Sequence, residues 1–93
     1  MAKQAILHLN LKRMYFDAIA NKKKRTEYRA YTPYWKSRLL EREYDLICFR
    51  NGYSKKAPQM MVQFLGVRRA GTGRSADFAI RLGRILEIKR WRH

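Results

Sequence analysis

Apolar and polar residues alternate near the beginning of the chain and again near its end. Residues 5–11 carry leucine at three alternate positions, which is the two-residue period of a half-buried strand. Residues 78–82 place phenylalanine, isoleucine and leucine at alternate positions in the same way. The next residue, Gly83, predicts a bend before residues 85–89 continue as a strand.

Two short segments have the spacing of helices instead. Residues 12–20 pair apolar side chains four positions apart, and Asn21 tolerates the left-handed conformation that closes a helix. Thr32 can cap a second helix, because its side chain can accept a backbone N–H and Pro33 suits the first helical position. Trp35 then lies on the buried side of this second helix.

The remaining apolar segments predict strands. Residues 26–31, 44–50 and 59–68 are rich in β-branched, aromatic and aliphatic residues. The Asn51-Gly52 pair between the second and third of these is a strong signal for a hairpin. A basic, glycine-containing loop is expected over residues 69–75.

The predicted element order is β-α-β-α followed by several strands. We therefore expect an α+β fold in which five or six mostly antiparallel strands form a curled sheet or small β-barrel. Two short helices would flank its openings. A chain of 93 residues has the length of one compact domain, so residues 1–93 are expected to fold as a single unit.

The charge of the chain indicates the kind of partner. Lysine and arginine total 22 against 7 acids, a formal net charge of +15, and such self-repulsion is typical of proteins that bind a polyanion. A merely soluble basic protein is the simpler alternative. No basic amphipathic helix or lipid-anchor pattern stands out, so a membrane partner is not expected, and the absence of a secretory segment predicts a cytoplasmic protein.

The residues that commonly carry metals or covalent catalysis are sparse. Cys48 is the only cysteine, so no intramolecular disulfide can form, and its apolar surroundings predict a buried, inert thiol. His8 and His93 are far apart in the sequence, and no Cys/His/carboxylate cluster accompanies them. We therefore expect no metal and no cofactor.

The most informative segment is the basic stretch 22–29, in which Glu27 is the only acid among five cations. Its carboxylate can hold Lys24 and Arg29 in fixed positions. In an extended strand Glu27, Arg29 and Tyr31 share one face, and Thr26 and Tyr28 share the other. A solvated ion-pair network on a basic strand is the alternative interpretation.

This stretch resembles the signature of the ASCH domain family, which reads Gly-x-Lys-x-x-Glu-x-Arg. Lys24, Glu27 and Arg29 fall on its charged positions, and Lys22 occupies the usual glycine position. The segment from Tyr31 to Leu39 and the late strand over residues 78–83 are similar to small bacterial and phage members.

The resemblance implies a barrel of the PUA-like superfamily with a cleft in which the motif residues gather. Members are proposed to bind or act on RNA; some remove the acetyl group from N4-acetylcytidine, and others are reported as ribonucleases. Lys24 matches the lysine of the amidohydrolase branch. That branch has threonine where this chain has Glu27, and Glu87 is a second carboxylate with no aligned counterpart, for which a surface pair with Lys89 or Arg90 is the alternative.

Recognition of single-stranded RNA combines cations for phosphates with aromatic faces for bases. Tyr31 is the expected stacking residue, because it shares the face of Glu27 and Arg29, whereas Tyr28 and Trp35 are expected in the core. The other candidate nucleic-acid contacts are basic residues around the motif and the glycine loop: Lys22, Lys23, Arg25, Lys36, Arg68, Arg69 and Arg74.

Three hypotheses follow from the sequence. In the first, the chain binds RNA, more readily than DNA, in a basic cleft around Lys24, Glu27 and Arg29. In the second, the same cleft belongs to a hydrolase of modified nucleosides or RNA, with Lys24 as base or electrostatic stabiliser, Glu27 as acid/base and Arg29 as anion clamp. In the third, the protein is a DNA- or protein-directed accessory factor that uses charge without chemistry. The sequence leaves the oligomeric state open.

Overall fold

A computed structural model of the protein describes residues 4–91. Between these residues the chain forms five strands, two α-helices and one 3-10 turn at Gly73–Ser75. In chain order they are β1 (Ile6–Asn10), α1 (Arg13–Ala20), β2 (Thr26–Ala30), α2 (Pro33–Leu40), β3 (Leu46–Arg50), β4 (Gln59–Ala70) and β5 (Asp77–Lys89). The predicted element order and the α+β class are confirmed.

The five strands form one curled sheet in the order β1-β3-β4-β5-β2. Strands β1 and β3 are parallel, and the three other neighbouring pairs are antiparallel, as expected for a mostly antiparallel sheet. The expected barrel is not closed, because β1 and β2 lie at opposite edges and are not hydrogen-bonded neighbours among the described strands. The sheet is therefore a half-barrel with a seam between these two edges.

The long β4–β5 hairpin gives the sheet its curl. Its register shifts at three successive places between Met61 and Gly66, and each such irregularity bends the strand and increases its twist. Gly83 lies on this bend, as predicted, where a Cβ atom would be 2.5 Å from the Gln63 side-chain oxygen. A larger residue there would have to displace the Gln63 side chain.

The core fills the concave side of the sheet. Its fully buried side chains come from every strand except β2 and from both helices: Leu7, Phe16, Leu39, Phe49, Val62, Phe78 and Ile80 are among them. Helix α1 covers one opening with the apolar side that its spacing predicts. Trp35 packs against the core from α2, as expected. No helix between residues 4 and 91 is long and apolar enough to cross a membrane.

The connection between β3 and β4 is a hairpin, as Asn51-Gly52 predicts. Arg50 pairs with Gln59, so residues 51–58 form its loop, between the strand ends expected from the sequence. The Asn51 side chain donates to the Leu11 carbonyl at 2.9 Å, which fastens this loop to the segment after β1.

The predicted start of α2 is confirmed, and the predicted left-handed residue at the end of α1 is wrong by one position. The Thr32 hydroxyl accepts the Trp35 N–H at 3.3 Å and caps α2 as predicted. At the end of α1 the left-handed residue is Lys22, with φ 63°, and not Asn21. The Lys22 and Lys23 amides donate to the carbonyls of Ile19 and Ala18, both at 2.9 Å, which is the pattern of a Schellman motif. This position usually holds glycine, because a left-handed conformation costs other residues about 1 kcal/mol.

Candidate functional site

Strand β2 faces the core with its charged side. Glu27 pairs with Ile80 across the sheet and is only 3% exposed, which makes it the one buried polar residue between residues 4 and 91. Glu27 and Arg29 thus point toward the interior, and Tyr28 between them points outward and is 48% exposed. The expectation that Tyr28 is a core residue is wrong, because the strand turns its ionic face inward at the seam.

Both carboxylate oxygens of Glu27 are paired with cations. Oε1 lies 3.0 Å from Lys24 Nζ, and Oε2 accepts from Arg29 Nη1 at 2.5 Å. The side chains of both cations are mostly buried as well. An isolated carboxylate at this depth would be strongly destabilising, so the two cations offset the cost of burying Glu27.

Arg29 links the two edges of the sheet. Its Nη2 donates to the Asn10 carbonyl at the end of β1, at 3.1 Å, and its Nη1 also lies 3.1 Å from the Tyr28 carbonyl. A sheet edge leaves backbone acceptors without a neighbouring strand, and the guanidinium satisfies one of them here. The Lys24–Glu27–Arg29 cluster therefore occupies the seam of the half-barrel.

A cleft of about 470 Å³ opens onto this cluster. We call it the paired cleft; it is lined by Asn10, Leu11, Lys12, Tyr15, Lys24, Glu27, Tyr28 and Arg29. The Lys24 ammonium lies 4.7 Å from the centre of the Tyr15 ring and 5.7 Å from that of Tyr28, within the range of cation–π contacts. Tyr15 is 42% exposed, so both rings offer aromatic surface at the mouth.

Further cation–aromatic contacts surround the seam. Arg69 lies over the Tyr31 ring at 4.8 Å, and that ring packs on Phe78 with centroids 4.7 Å apart. Arg29 lies 5.3 Å from the Trp35 ring on α2. Tyr31 is exposed beside the core, so the expected stacking residue is accessible although it does not line the paired cleft.

A second hollow of about 390 Å³ lies on the other side of Lys24. We call it the cationic cavity; its lining consists of Ile19, Lys22, Lys24, Arg25, Leu65, Leu82, Gly83, Arg84 and Ile85. Its apolar surface is entirely aliphatic. None of the described residues that line it is acidic.

The structure brings some predicted contact residues together and leaves others apart. Lys22 and Arg25 join Lys24 at the cationic cavity, and Arg69 meets Tyr31. Four further predicted residues, which like Arg69 and Tyr31 line neither hollow, are exposed in the turn after α1, on α2, on β4 and in the 3-10 turn: Lys23, Lys36, Arg68 and Arg74. The predicted site therefore consists of a compact cluster around Lys24 and of separate basic residues spread over the surrounding surface.

The sequence did not reveal three residues that shape these hollows. Tyr15 belongs to a helical apolar pair, yet it lies at the margin of that stripe and reaches the cleft. Lys12 lies just before α1, and Arg84 joins the cationic cavity from β5. Only the position of Lys12, four residues before Phe16 and three before Tyr15, hinted that it shares a helix side with an aromatic residue.

Two other sequence candidates lie outside both hollows. Cys48 is buried, and burial raises the pKa of its thiol while the charges of Arg50 and Lys89 act against that change. Glu87 forms the expected surface pair with Lys89, 3.2 Å apart and with both side chains more than half exposed. Among residues 4–91 no group of three or more His, Cys, Asp or Glu side chains is close enough to hold a metal ion.

Protein-family models, curated proteins and solved structures were compared with the chain, and none matches it. The resemblance of residues 22–29 to the ASCH signature therefore stays a hypothesis. The geometry of the two hollows and the charge around them are the basis on which a function can be inferred.

Proposed function

We propose that the protein is an RNA-binding domain that holds single-stranded RNA across the paired cleft. The observation that carries the proposal is the position of Lys24 between two exposed tyrosine rings, above a buried carboxylate that fixes its ammonium. The half-barrel and the charged motif fit the ASCH and PUA-like assignment, which is part of the same proposal.

Single-stranded RNA offers unstacked bases and a phosphate chain to such a surface. Tyr15 and Tyr28 supply aromatic faces, and base–aromatic stacking contributes about 1–3 kcal/mol per base. The Lys24 ammonium lies between the two rings. A phosphate next to a stacked base would therefore meet a positive charge. Duplex RNA and DNA keep their bases stacked on each other and cannot use the rings in this way.

Glu27 supports recognition rather than proton transfer in this arrangement. Each of its oxygens already accepts from a cation, so the carboxylate is a fixed counter-charge that orients Lys24 and Arg29. Preorganised cations lose less side-chain entropy when a phosphate binds.

The remaining charge would determine affinity. Contacts to about five phosphates of a single strand predict that log K falls with log salt at a slope near −3.5. Binding of a fluorescent single-stranded RNA, measured by anisotropy from low to high salt, tests this directly. A flat salt response, or tighter binding to duplex DNA than to single-stranded RNA, would reject the proposal and favour the accessory-factor hypothesis.

A hydrolase on the same cleft is the second candidate, because Lys24 contributes to the cleft wall and could meet a bound carbonyl or phosphate. Incubation with an RNA panel and with N4-acetylcytidine decides between the two functions. Product formed by the natural protein and lost in both Lys24→Ala and Glu27→Gln would identify an enzyme. Salt-sensitive binding without product identifies a binding module.

A further inference from the structure

The cationic cavity combines two features that the proposed RNA site does not require. Its floor and one wall are aliphatic, from Ile19, Leu82 and Ile85, with the exposed Leu65 at the side. Its other residues are Gly83 and the four cations, of which only Lys24 has its charge compensated by Glu27. Lys22, Arg25 and Arg84 are exposed and Leu65 is 47% exposed, so the hollow presents positive charge beside apolar surface that a ligand can bury.

The backbone at Lys22 is an independent sign that a side chain is needed there. Lys22 has φ 63°, a conformation that glycine adopts without strain, and the Schellman hydrogen bonds involve only its main chain. Glycine would therefore end α1 more favourably. The lysine side chain lines the cavity instead, so a strained position has been given to a cation that faces it.

We propose that the cationic cavity binds a small amphiphilic anion, an unbranched aliphatic chain ending in a carboxylate. The aliphatic chain would lie on Leu65 and Ile85, which are the accessible aliphatic residues of the lining, and the anionic end would meet Lys22, Arg25 and Arg84. The volume of about 390 Å³ is within the range of small-molecule sites.

The composition of the cavity favours such a ligand over a nucleotide. A nucleobase gains from aromatic stacking and needs partners for its polar edge, and a base that leaves those groups unpaired binds poorly. The lining contains no aromatic residue and no hydroxyl or amide side chain among the described residues. An alkyl chain has no polar edge to satisfy, and the anionic end uses the cations that are present.

Calorimetric titration of the full chain with hexanoate, octanoate and decanoate tests the proposal. We expect one site per chain, a Kd for octanoate on the order of 0.1–1 mM, and about two- to fourfold tighter binding for each methylene until the cavity is full. Octanol should bind at least about tenfold more weakly, because it lacks the charge. Equal affinity along the acid series would overturn the proposal.

Matched variants separate the cavity from the general charge of the protein. Leu65→Asp should weaken octanoate binding about tenfold or more, whereas Leu86→Asp should change it little; the two leucines are 47% and 51% exposed, and only Leu65 lines this cavity. Lys22→Asn should weaken binding about three- to fivefold and the neighbouring Lys23→Asn should not. Equal losses within either pair would show that octanoate binds the surface non-specifically.

The test is independent of the proposed RNA function, since it is done without RNA. Octanoate binding with no RNA binding would reject only the RNA proposal. RNA binding with no octanoate site would reject only the present inference. Tighter binding of adenosine or cytidine monophosphate than of octanoate would also overturn it and assign the cavity to nucleotides.

Discussion

Lys24 lines both hollows, but the two hollows differ in whether an acid accompanies their cations. In the paired cleft, Lys24 and Arg29 both contact the buried Glu27, and Arg29 also satisfies a backbone carbonyl of β1. In the cationic cavity, Lys22, Arg25 and Arg84 surround aliphatic side chains, and no acid is among the described lining residues. The cations of the first arrangement are held in place by an internal acid, whereas those of the second have no counter-charge among the described lining residues.

The difference shows how a small basic domain can combine stability with binding. In the cleft one buried carboxylate holds two cations, so the cluster supports the seam of the half-barrel and presents a fixed surface that is still positive. The cations around the cavity have no acid beside them in the described lining, so an anion that enters would meet an uncompensated positive surface. Substitutions in the two hollows should therefore differ in their effects, most of all where the acid is buried.

Removal of the buried acid should break the paired cleft. Glu27→Ala leaves Lys24 and Arg29 facing each other with little solvent, so we expect the free energy of unfolding to fall by about 3 kcal/mol. Glu27→Gln keeps the shape of the side chain and should be less harmful. Urea unfolding followed by tryptophan fluorescence and circular dichroism measures both.

The exposed pair of Glu87 and Lys89 provides the control. Glu87→Ala removes an acid from a solvated ion pair and should change the free energy of unfolding by less than about 0.5 kcal/mol. If Glu27→Ala were no more destabilising than Glu87→Ala, the cluster at the seam would be an ordinary surface network, and its proposed structural role would be wrong.

The aromatic walls should distinguish the cleft from the cavity in RNA binding. Tyr28→Ala removes a ring that is half exposed beside Lys24, and we expect a loss of about 1–2 kcal/mol in binding to single-stranded RNA, roughly a tenfold increase in Kd. Tyr15→Ala should act similarly but also remove contacts of α1. Anisotropy titration at constant salt gives the values.

Tyr53 is the matched aromatic control, since it is almost fully exposed and belongs to the loop over residues 51–58. Tyr53→Ala should leave the affinity for RNA unchanged. An equal loss of RNA affinity in Tyr53→Ala and Tyr28→Ala would mean that RNA contacts scattered aromatic residues on the surface. The paired cleft would then not be the RNA-binding site.

The alternation of residues was sufficient to predict the strands but not the side of β2 that faces the core. A period of two separates Glu27 and Arg29 from Thr26 and Tyr28, and burial preferences then place the tyrosine inside. In the structure Glu27 and Arg29 face the interior instead, because the open edge of β1 supplies a backbone carbonyl that the Arg29 guanidinium can satisfy. Such edges depend on the closure of the sheet, which local sequence does not encode.

The motif residues could be brought together from sequence because Glu27 and Arg29 lie on one strand and Lys24 lies just before it. The cationic cavity could not, since Lys22 and Arg25 meet Leu65 and Arg84 only through the register of β4 and β5. That register shifts three times, and a two-residue pattern cannot locate shifts of this kind. Sequence also assigned the left-handed helix end to Asn21, one residue before the Schellman hydrogen bonds place it.

The smallest expected change in the free energy of unfolding is that of Lys22→Gly, and its sign is informative. Lys22→Gly relieves a left-handed lysine and should increase the free energy of unfolding by about 0.5 kcal/mol, the strain released less the greater backbone entropy of unfolded glycine. Lys23→Gly, next to it at an ordinary φ, should decrease it by a similar amount. Paired urea melts resolve the two signs. If Lys22→Gly is more stable and binds octanoate less tightly, the natural protein gives up stability to keep a cation at the cavity. If Lys22→Gly is less stable, the lysine side chain supports the fold itself. In that case the left-handed backbone at Lys22 is no longer evidence for a ligand.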